Sequence, residues 1–371
     1  MILRGVCAAA LAIALPLIAM AQPSPDAILG DALRWQLAPS VSLAIVKNGT
    51  IVYSGAYGSA DLDARRPATT ATRYPIGSLG NLFIAVAVMQ LAASGRLRLD
   101  DSLRTYLPDD VPFDVTVREL LPPREDNVNY DLLGKLVERI AGEPLATYLS
   151  DRVFHPANMT QTWVGEPPSW LPLASGYYQW RDAFGAAAAD ADAWKRPCCN
   201  SVSTAADVAR FDVALFNGTL VSAAWLRTMR AAFISTHKAG ILAIGQEGAS
   251  SGYDASNVLF PERGYAIVTL ANCAGFAAPA VLNRVIALSY PELAASHDGG
   301  TLGNAAVDAR LRAYLAAHAA SLGPASVVEF LSSSESAGAN EYRYLVDFGG
   351  TVKSAFFTVN ARGEIDGFWL H

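Results

Sequence analysis

An apolar run, Leu82–Ala93, is the feature that most constrains the fold of this 371-residue chain. Its twelve residues include no charged side chain. The run is also too short to span a bilayer, which takes about 20 residues. A helix that is apolar on all sides has to be buried among other elements. Ser94 and Gly95 follow directly, as expected where a helix ends. The run therefore predicts a central helix inside the core of a large domain.

The first residues have the layout of a secretory signal peptide. One basic residue, Arg4, precedes the apolar run Val6–Ile18, and Ala19-Met20-Ala21 provides a small-residue cleavage site. A membrane anchor is the alternative, and it is weaker because the run falls short of about 20 residues. We therefore predict a cleavable signal peptide over residues 1–21, a periplasmic or secreted mature protein, and no membrane span after cleavage.

Charge and composition exclude some classes of partner. The formal net charge of -6 is spread along the chain without runs, which argues against nucleic-acid binding. The five histidines are scattered, with no pair on one helix face, so neither a metal site nor another cofactor is predicted.

The predicted mature chain has an odd number of cysteines, Cys198, Cys199 and Cys273, so at least one is free or pairs between chains. In an oxidising compartment Cys273 can bond to one of the vicinal pair. The alternative is three buried thiols, and the sequence leaves both open.

The hydrophobic pattern predicts an α+β fold. Two β-rich runs, Ser40–Lys47 and Thr50–Tyr57, flank Asn48-Gly49, which is a strong hairpin signal. Residues 170–197 are rich in Ala, Gly, Pro and aromatic residues, which predicts irregular structure. The other predicted elements are helices at Asn129–Ala141 and Leu145–Val153, a helix capped by Ser203-Thr204 and running to Leu215, strands at Asn257–Phe260 and Tyr265–Leu270, and a helix at Pro279–Leu288.

A change in composition at Ser296–Gly303 predicts a linker between two domains. We therefore predict a main domain over 22–296 and a small helix-plus-antiparallel-sheet domain over 304–371. The small domain is predicted to contain a helix at Ala305–Leu322 and strands at Val327–Leu331, Glu341–Phe348, Thr351–Val359 and Ile365–Leu370.

Four stretches in the same order resemble one family. Residues 74–108 (YPIGSLGNLFIAVAVMQLAASGRLRLDDSLRTYLP) resemble the nucleophile segment of the β-lactamase-related serine hydrolases, and 127–162, 203–215 and 248–272 resemble later segments. This family includes class C β-lactamases, D-Ala-D-Ala carboxypeptidases and related esterases. The resemblance implies the serine β-lactamase and penicillin-binding-protein fold: an antiparallel sheet flanked by helices, an inserted helical lobe, and an active site between the lobes. The small domain after the linker resembles cystatin-like accessory domains, which bind peptides or mediate dimerisation.

The family's first motif, Ser-x-x-Lys, is altered here. The lysine lies one helical turn beyond the serine and assists removal of its proton. In this chain the motif reads Ser78-Leu79-Gly80-Asn81, so the nucleophile is present and a neutral amide replaces the lysine. Asn81 cannot accept the proton and supplies no positive charge.

The other two motifs are altered as well. At the Tyr-x-Asn motif the chain carries Glu125 in place of the tyrosine, and Asn127 is retained. At the Lys-Thr-Gly or His-x-Gly motif Gln246 replaces the cation, and Gly248 is retained to leave room for a substrate backbone. The predicted site therefore contains Ser78, Asn81, Glu125 and Asn127 as catalytic positions, with Gln246 and Gly248 as substrate-binding positions.

The altered motifs support two main functional hypotheses. In the first, the protein is a catalytically impaired family member with a binding or regulatory role, and its cleft holds a peptide-like or acyl small molecule. In the second, it is an active esterase in which Ser78 attacks and Glu125 serves as an unusual base. A third hypothesis assigns the function to the small domain, with Tyr342, Tyr344, Phe356, Phe357 and Trp369 either lining a concave face or filling its core.

Overall fold

The computed structural model describes residues 24–35, 37–109, 111, 114–124, 127–180, 183–188, 193–198, 200–238, 241–276, 278–290, 305–336, 339–349, 351–360 and 362–370. The predicted signal peptide and the predicted linker at Ser296–Gly303 lie outside these residues. No helix in the described ranges is long and apolar enough to cross a membrane.

A seven-stranded antiparallel sheet forms the centre of the main domain. Its strand order is β3-β2-β1-β12-β11-β10-β9. The predicted hairpin is confirmed, because β1 pairs with β2 around Asn48-Gly49. The bounds are β1 Ser40–Lys47, β2 Thr50–Asp61, β3 Arg66–Pro67, β9 Ile234–Lys238, β10 Ile241–Ser250, β11 Tyr253–Phe260 and β12 Tyr265–Ala271.

Helices cover both faces of this sheet. The predicted central helix is α2, and all its residues from Asn81 to Met89 are buried. The Phe83 ring contacts Phe154 and Phe211 edge-on, at centroid distances of 5.2 and 5.0 Å. The bounds are α1 Pro25–Arg34, α2 Asn81–Ala93, α3 Val128–Ala141, α4 Leu145–Leu149, α5 Ala205–Phe216, α6 Ala223–Met229 and α7 Ala278–Ser289. A π-helical turn, Ser150–Phe154, continues α4.

Two small sheets accompany the large one, and one of them corrects the sequence analysis. Within the stretch predicted to be irregular, Tyr177–Trp180 and Ala183–Ala186 pair as a hairpin. Its first strand also pairs with Cys273–Ala274, almost a hundred residues later. Such non-local pairing leaves little signal in a local window. The bounds are β4 Tyr74–Pro75, β5 Trp163–Val164, β6 Tyr177–Trp180, β7 Ala183–Ala186, β8 Ser201–Ser203 and β13 Cys273–Ala274.

The small domain is a four-stranded antiparallel sheet covered by helix. Its strand order is β14-β15-β16-β17, as predicted from the sequence. Tyr344 and Phe357 are buried in its own core, so they do not line an open concave face. The predicted helix is interrupted at His318. The bounds are α8 Ala305–Ala317, α9 Ala319–Leu322, β14 Ser326–Ser336, β15 Ala339–Asp347, β16 Val352–Val359 and β17 Ile365–Leu370.

A buried arginine joins the small domain to the main domain. Arg343 of β15 is 3% exposed, and its Nε donates to the Ser354 hydroxyl at 2.8 Å. Its Nη2 donates to the Trp35 carbonyl at 3.0 Å, and its Nη1 donates to the Gln179 side chain at 2.5 Å. Burial lowers the pKa of Arg343 to about 10. Leu345, two residues along the strand, packs into the apolar cluster of the main domain.

The cysteines correct both alternatives drawn from the sequence. Cys198 is in a disulfide, so the alternative of three thiols is wrong. Cys273 is free and buried, so the predicted bond from Cys273 to the vicinal pair is also wrong. Burial raises the pKa of the Cys273 thiol to about 12, which makes it unreactive.

A buried carboxyl group lies between α5 and the central sheet. Asp212 is fully buried and accepts a hydrogen bond from Asn257 Nδ2 at 2.8 Å. Its second oxygen has no partner within the described part of the chain. Burial raises the pKa of Asp212 well above its ordinary value, so the neutral acid is the favoured form.

The turn that carries Ser78 packs directly on β10 through two glycines. A Cβ on Gly248 would lie 2.0 Å from the Ile76 carbonyl oxygen. From the other side, a Cβ on Gly77 would lie 2.5 Å from the Ala249 carbonyl oxygen. Gly77 also has a positive φ of 51°, which disfavours other residues. These two glycines let two backbones meet where any side chain would separate them.

Replacing Asp212 with asparagine is expected to change how stability depends on pH. The pKa of Asp212 is raised in the folded chain, so its contribution to the free energy of unfolding is largest at pH values below the unfolded-state pKa of about 3.9. That contribution falls as the pH rises from there towards the folded-state pKa. Asp212→Asn removes this loss, so the variant gains stability relative to the wild type between pH 5 and pH 8. Urea unfolding at both pH values measures the difference, and an equal difference at the two values would contradict the assignment.

Adding one methyl group at Gly248 is expected to destabilise the protein. Gly248→Ala forces the Ser78 turn away from β10, and overpacking of this kind costs about 1–3 kcal/mol or more. Gly185→Ala is the matched control, because Gly185 also lies in a β-strand and nothing lies within 4 Å of its added Cβ. Thermal or urea unfolding compares the two, and equal stability of both variants would show that the contact is unimportant.

Candidate active site

Ser78 lies on a short 3-10 turn, Gly77–Gly80, between β4 and α2. The strand before the turn pairs with β8, and Ile76 N donates to the Ser201 carbonyl at 3.0 Å. The half-buried Ser78 side chain is thereby placed at the N-terminal end of the central helix. The helix dipole gives this position a partial positive field.

A buried tyrosine that the sequence analysis missed connects the segment before Ser78 to the central sheet by hydrogen bonds. Tyr74 is fully buried, and its hydroxyl lies 3.0 Å from Ser40 Oγ and 3.1 Å from Ser42 Oγ. Ser40 Oγ in turn donates to Asn272 Oδ1 at 2.8 Å. Burial raises the pKa of Tyr74, so its hydroxyl stays neutral. The only available sequence signal was that a buried tyrosine needs a hydrogen-bond partner.

Three of the predicted site residues form one hydrogen-bonded chain. Asn81 Nδ2 donates to Asn127 Oδ1 at 2.8 Å. Asn127 Nδ2 donates to Ser78 Oγ at 2.9 Å. The Ser78 hydroxyl therefore receives a proton donor where the family's chemistry requires a proton acceptor.

This chain of amides cannot activate the serine. A side-chain amide is neutral and is not a base, whichever way its oxygen and nitrogen are oriented. Asn81 is fully buried, and its Oδ1 has no partner within the described residues. A buried unpaired acceptor costs about 1–3 kcal/mol. The residue at the lysine position thus adds cost without supplying charge.

Asn127 is positioned by its backbone as well as by its side chain. It is the N-cap of α3 and adopts the left-handed conformation, with φ 54° and ψ 10°, which asparagine tolerates better than most residues. The first turn of α3 also holds the segment before it, because Asn129 Nδ2 donates to the Leu120 and Pro122 carbonyls at 2.7 Å. Asn129 is a second residue that sequence reasoning missed. Glu125 lies outside the described residues.

Gln246 and Gly248 lie on the strand beside the turn. Gln246 is 4% exposed, and its Nε2 donates to the Glu247 carbonyl at 2.9 Å. Its Oε1 has no partner in the part of the chain that the structure describes. The space on the Cβ side of Gly248 is filled by the Ile76 backbone, a role that the sequence analysis did not foresee.

One carboxyl group near this strand has a strongly shifted pKa. Burial, with a smaller contribution from Glu247, raises the pKa of Asp254 to about 8. Asp254 pairs with Ala249, so it points to the sheet face opposite that of Gln246 and Gly248. Asp254 therefore faces away from the Ser78 turn and does not replace the missing base.

A cavity of ≈ 620 Å³ lies near the segment that leads into the Ser78 turn, but its lining includes none of Ser78, Asn81, Asn127, Gln246 and Gly248. Pro75 on one wall ends β4, three residues before Ser78, and Ser250 on another wall ends β10. The rest of the lining combines three aromatic residues, two serines, two carboxylates and several small residues, including Tyr177, Tyr253, Trp194, Ser175, Ser251, Asp61 and Asp63. The cavity is large enough for a small-molecule ligand. The structure describes no group of three or more metal-ligating side chains among its residues.

Comparison with known proteins agrees with this architecture. A family model described as Beta-lactamase matches residues 27–122 and 126–290. Protein flp of Staphylococcus aureus (strain NCTC 8325 / PS 47) is 24% identical over 188 residues, which cover 38% of this chain and 38% of flp. The chain thus spans less than two fifths of that curated relative.

Two solved structures share the fold. The octameric penicillin-binding protein homologue from Pyrococcus abyssi has a TM-score of 0.64 at 17% identity and covers 91% of this chain and 96% of its own. D-amino acid amidase from Ochrobactrum anthropi SV3, complexed with L-phenylalanine amide, has a TM-score of 0.63 at 19% identity and covers 72% and 98%. With the family model matching well over half of its length, the chain belongs to the β-lactamase family of serine hydrolases.

Proposed function

We propose that the protein is an exported, catalytically impaired member of the β-lactamase family that binds a small ligand instead of turning it over. The observation that carries the proposal is the hydrogen-bonded chain from Asn81 through Asn127 to Ser78. That chain delivers N–H donors to the nucleophile and contains no group able to take its proton.

The rate enhancement that the missing catalytic groups normally provide is large, which supports the proposal of impaired catalysis. A positioned general base is worth about 10²–10⁴ in rate. Residues that act as one catalytic unit fail together, and losing such a unit costs about 10⁶ in another serine hydrolase. In this chain Asn81 stands in place of the lysine of the first motif, and Glu125 stands in place of the tyrosine of the second. Gln246 stands in place of the cation of the third.

The cavity near Pro75 supports a binding role. Its walls combine aromatic rings with hydroxyl groups, a mixture suited to a peptide-like or acyl small molecule. One related structure is of a D-amino acid amidase in complex with L-phenylalanine amide. A small amino acid amide is therefore a reasonable first ligand to test on this chain.

A second candidate function is hydrolysis of small acyl esters by Ser78. The observation that favours it is the retained position of Ser78, half-buried at the N-terminal end of α2. The helix N-terminus lowers the cost of forming an alkoxide. Glu125 is the proposed base in this case, and its carboxylate would need a raised pKa to act near neutral pH.

Location and domain organisation are part of the proposal. Residues 1–21 are proposed to direct export to the periplasm or beyond, and to be removed. Residues 304–371 are proposed to be a cystatin-like accessory domain attached to the main domain through Arg343. Its buried contacts with the Trp35 carbonyl and the Gln179 side chain support a fixed attachment.

Covalent labelling of Ser78 tests the two candidates against each other. We expect no adduct when the folded protein is incubated with a fluorophosphonate or, separately, with a penicillin, because the described side chains hydrogen-bonded to Ser78 include no base. Intact-protein mass spectrometry measures the outcome, and Ser78→Ala is the control for labelling elsewhere. An adduct on the wild type that is absent from Ser78→Ala would favour the hydrolase instead.

Ligand binding is expected to be independent of Ser78 and dependent on the cavity. A bound ligand stabilises the folded chain by RT ln(1 + [L]/Kd), so L-phenylalanine amide should raise the unfolding temperature. Ser78→Ala should keep the rise, while Ala188→Trp should remove it because the indole fills the cavity.

Ala183→Trp is the matched control for this experiment. Both alanines are exposed, but Ala183 lies outside the cavity lining. A rise that survives Ala188→Trp, or one that is lost in both tryptophan variants, would contradict binding in this cavity.

A further inference from the structure

A second cavity, of ≈ 540 Å³, lies at the end of the central sheet far from Ser78. The cavity borders the Asn48-Gly49 turn at one end of β1. At the other end of β1, Ser40 is hydrogen-bonded to Tyr74, which lies four residues before Ser78. An eight-residue strand at about 3.3 Å per residue separates the two ends by roughly 25 Å. The lining includes Arg227, Arg230, Asn217, Phe216, Leu226 and Glu262.

Two arginines, Arg227 and Arg230, contribute positive charge to the lining of this cavity. Neither Arg227 nor Arg230 takes part in an ion pair with any residue that the structure describes. Arg230 Nε is buried and has no hydrogen-bond partner in those residues. A buried donor of a charged group is costly to leave unpaired, and native structures rarely do so without a reason.

Arg227 is exposed to solvent, whereas Arg230 is half-buried. They lie at the C-terminal end of α6, where positive charge is favourable against the helix dipole. Within the described residues, however, neither guanidinium donates to a helix carbonyl, so the Nη donors, which are not buried as Arg230 Nε is, stay available to a ligand. Glu262 is the one carboxylate among the described lining residues, against two guanidinium groups, which leaves a net positive charge.

We propose that this cavity binds a small anion, a phosphate or carboxylate group attached to a short apolar part. The planar guanidinium presents paired N–H donors that match either group. Asn217 offers a side-chain amide beside them, and Phe216 and Leu226 provide an apolar floor. Binding here is distinct from events at Ser78, so it stands whether or not the proposed function holds.

Isothermal titration calorimetry with inorganic phosphate, and separately with acetate and benzoate, tests the site at constant ionic strength. We expect saturable binding of phosphate or of the carboxylates by the full-length chain, with benzoate tighter than acetate because its ring contacts Phe216 and Leu226. Arg230→Ala should weaken binding about tenfold or more, in line with the loss of a charge-assisted hydrogen bond.

Two further variants keep the test decisive. Arg230→Lys preserves the charge and loses the guanidinium fork, so it should also bind several-fold more weakly. Arg104→Ala removes an exposed arginine elsewhere in the main domain and should bind as the wild type does. Absence of saturable binding to the wild type, unchanged binding by Arg230→Ala, or equal weakening in Arg104→Ala would overturn the proposal.

Discussion

The close approach of two backbones, the Ser78 turn and β10, is the constraint on which the site depends. The Ile76 carbonyl and the Ala249 carbonyl occupy the places where side chains on Gly248 and Gly77 would lie. This contact sets the position of Ser78 relative to Gln246. It also ties the N-terminal end of the central helix to the sheet, because α2 follows the turn without a break.

Neutral amides occupy the two positions at which the resemblance to the family predicts cations. Asn81 and Gln246 are both buried, and each leaves one oxygen without a partner in the described residues. A lysine at either position would place a positive charge in the interior, and such a charge has to be paired with a negatively charged group of the protein or of a ligand. The amides avoid that requirement, and the hydrogen-bonded chain that Asn81 and Asn127 form with Ser78 contains no proton acceptor strong enough to act as a base.

Prediction from the sequence succeeded where local pattern is strong. The Asn48-Gly49 hairpin, the central helix, and the helix capped by Thr204 all formed as expected, since turn chemistry, apolar composition and capping act within a few residues. Prediction failed at Tyr177–Trp180, whose partner strand begins at Cys273. For the cysteines, the odd number correctly predicted a free thiol, which is Cys273, but both alternatives for the others were wrong because spacing alone does not decide which thiols meet.

The sequence by itself determined which chemical groups stand at the motif positions: Ser78 is present, and Asn81 cannot act as a base in any conformation. Only the tertiary structure decided what those groups do to one another. It joined Asn81, Asn127 and Ser78 into a single hydrogen-bonded chain, and it gave Gly248 a packing role beside Ile76. The physical reason is range: the identity of a side chain sets its acidity and hydrogen-bonding capacity, whereas the partner it meets depends on contacts between residues far apart in the chain.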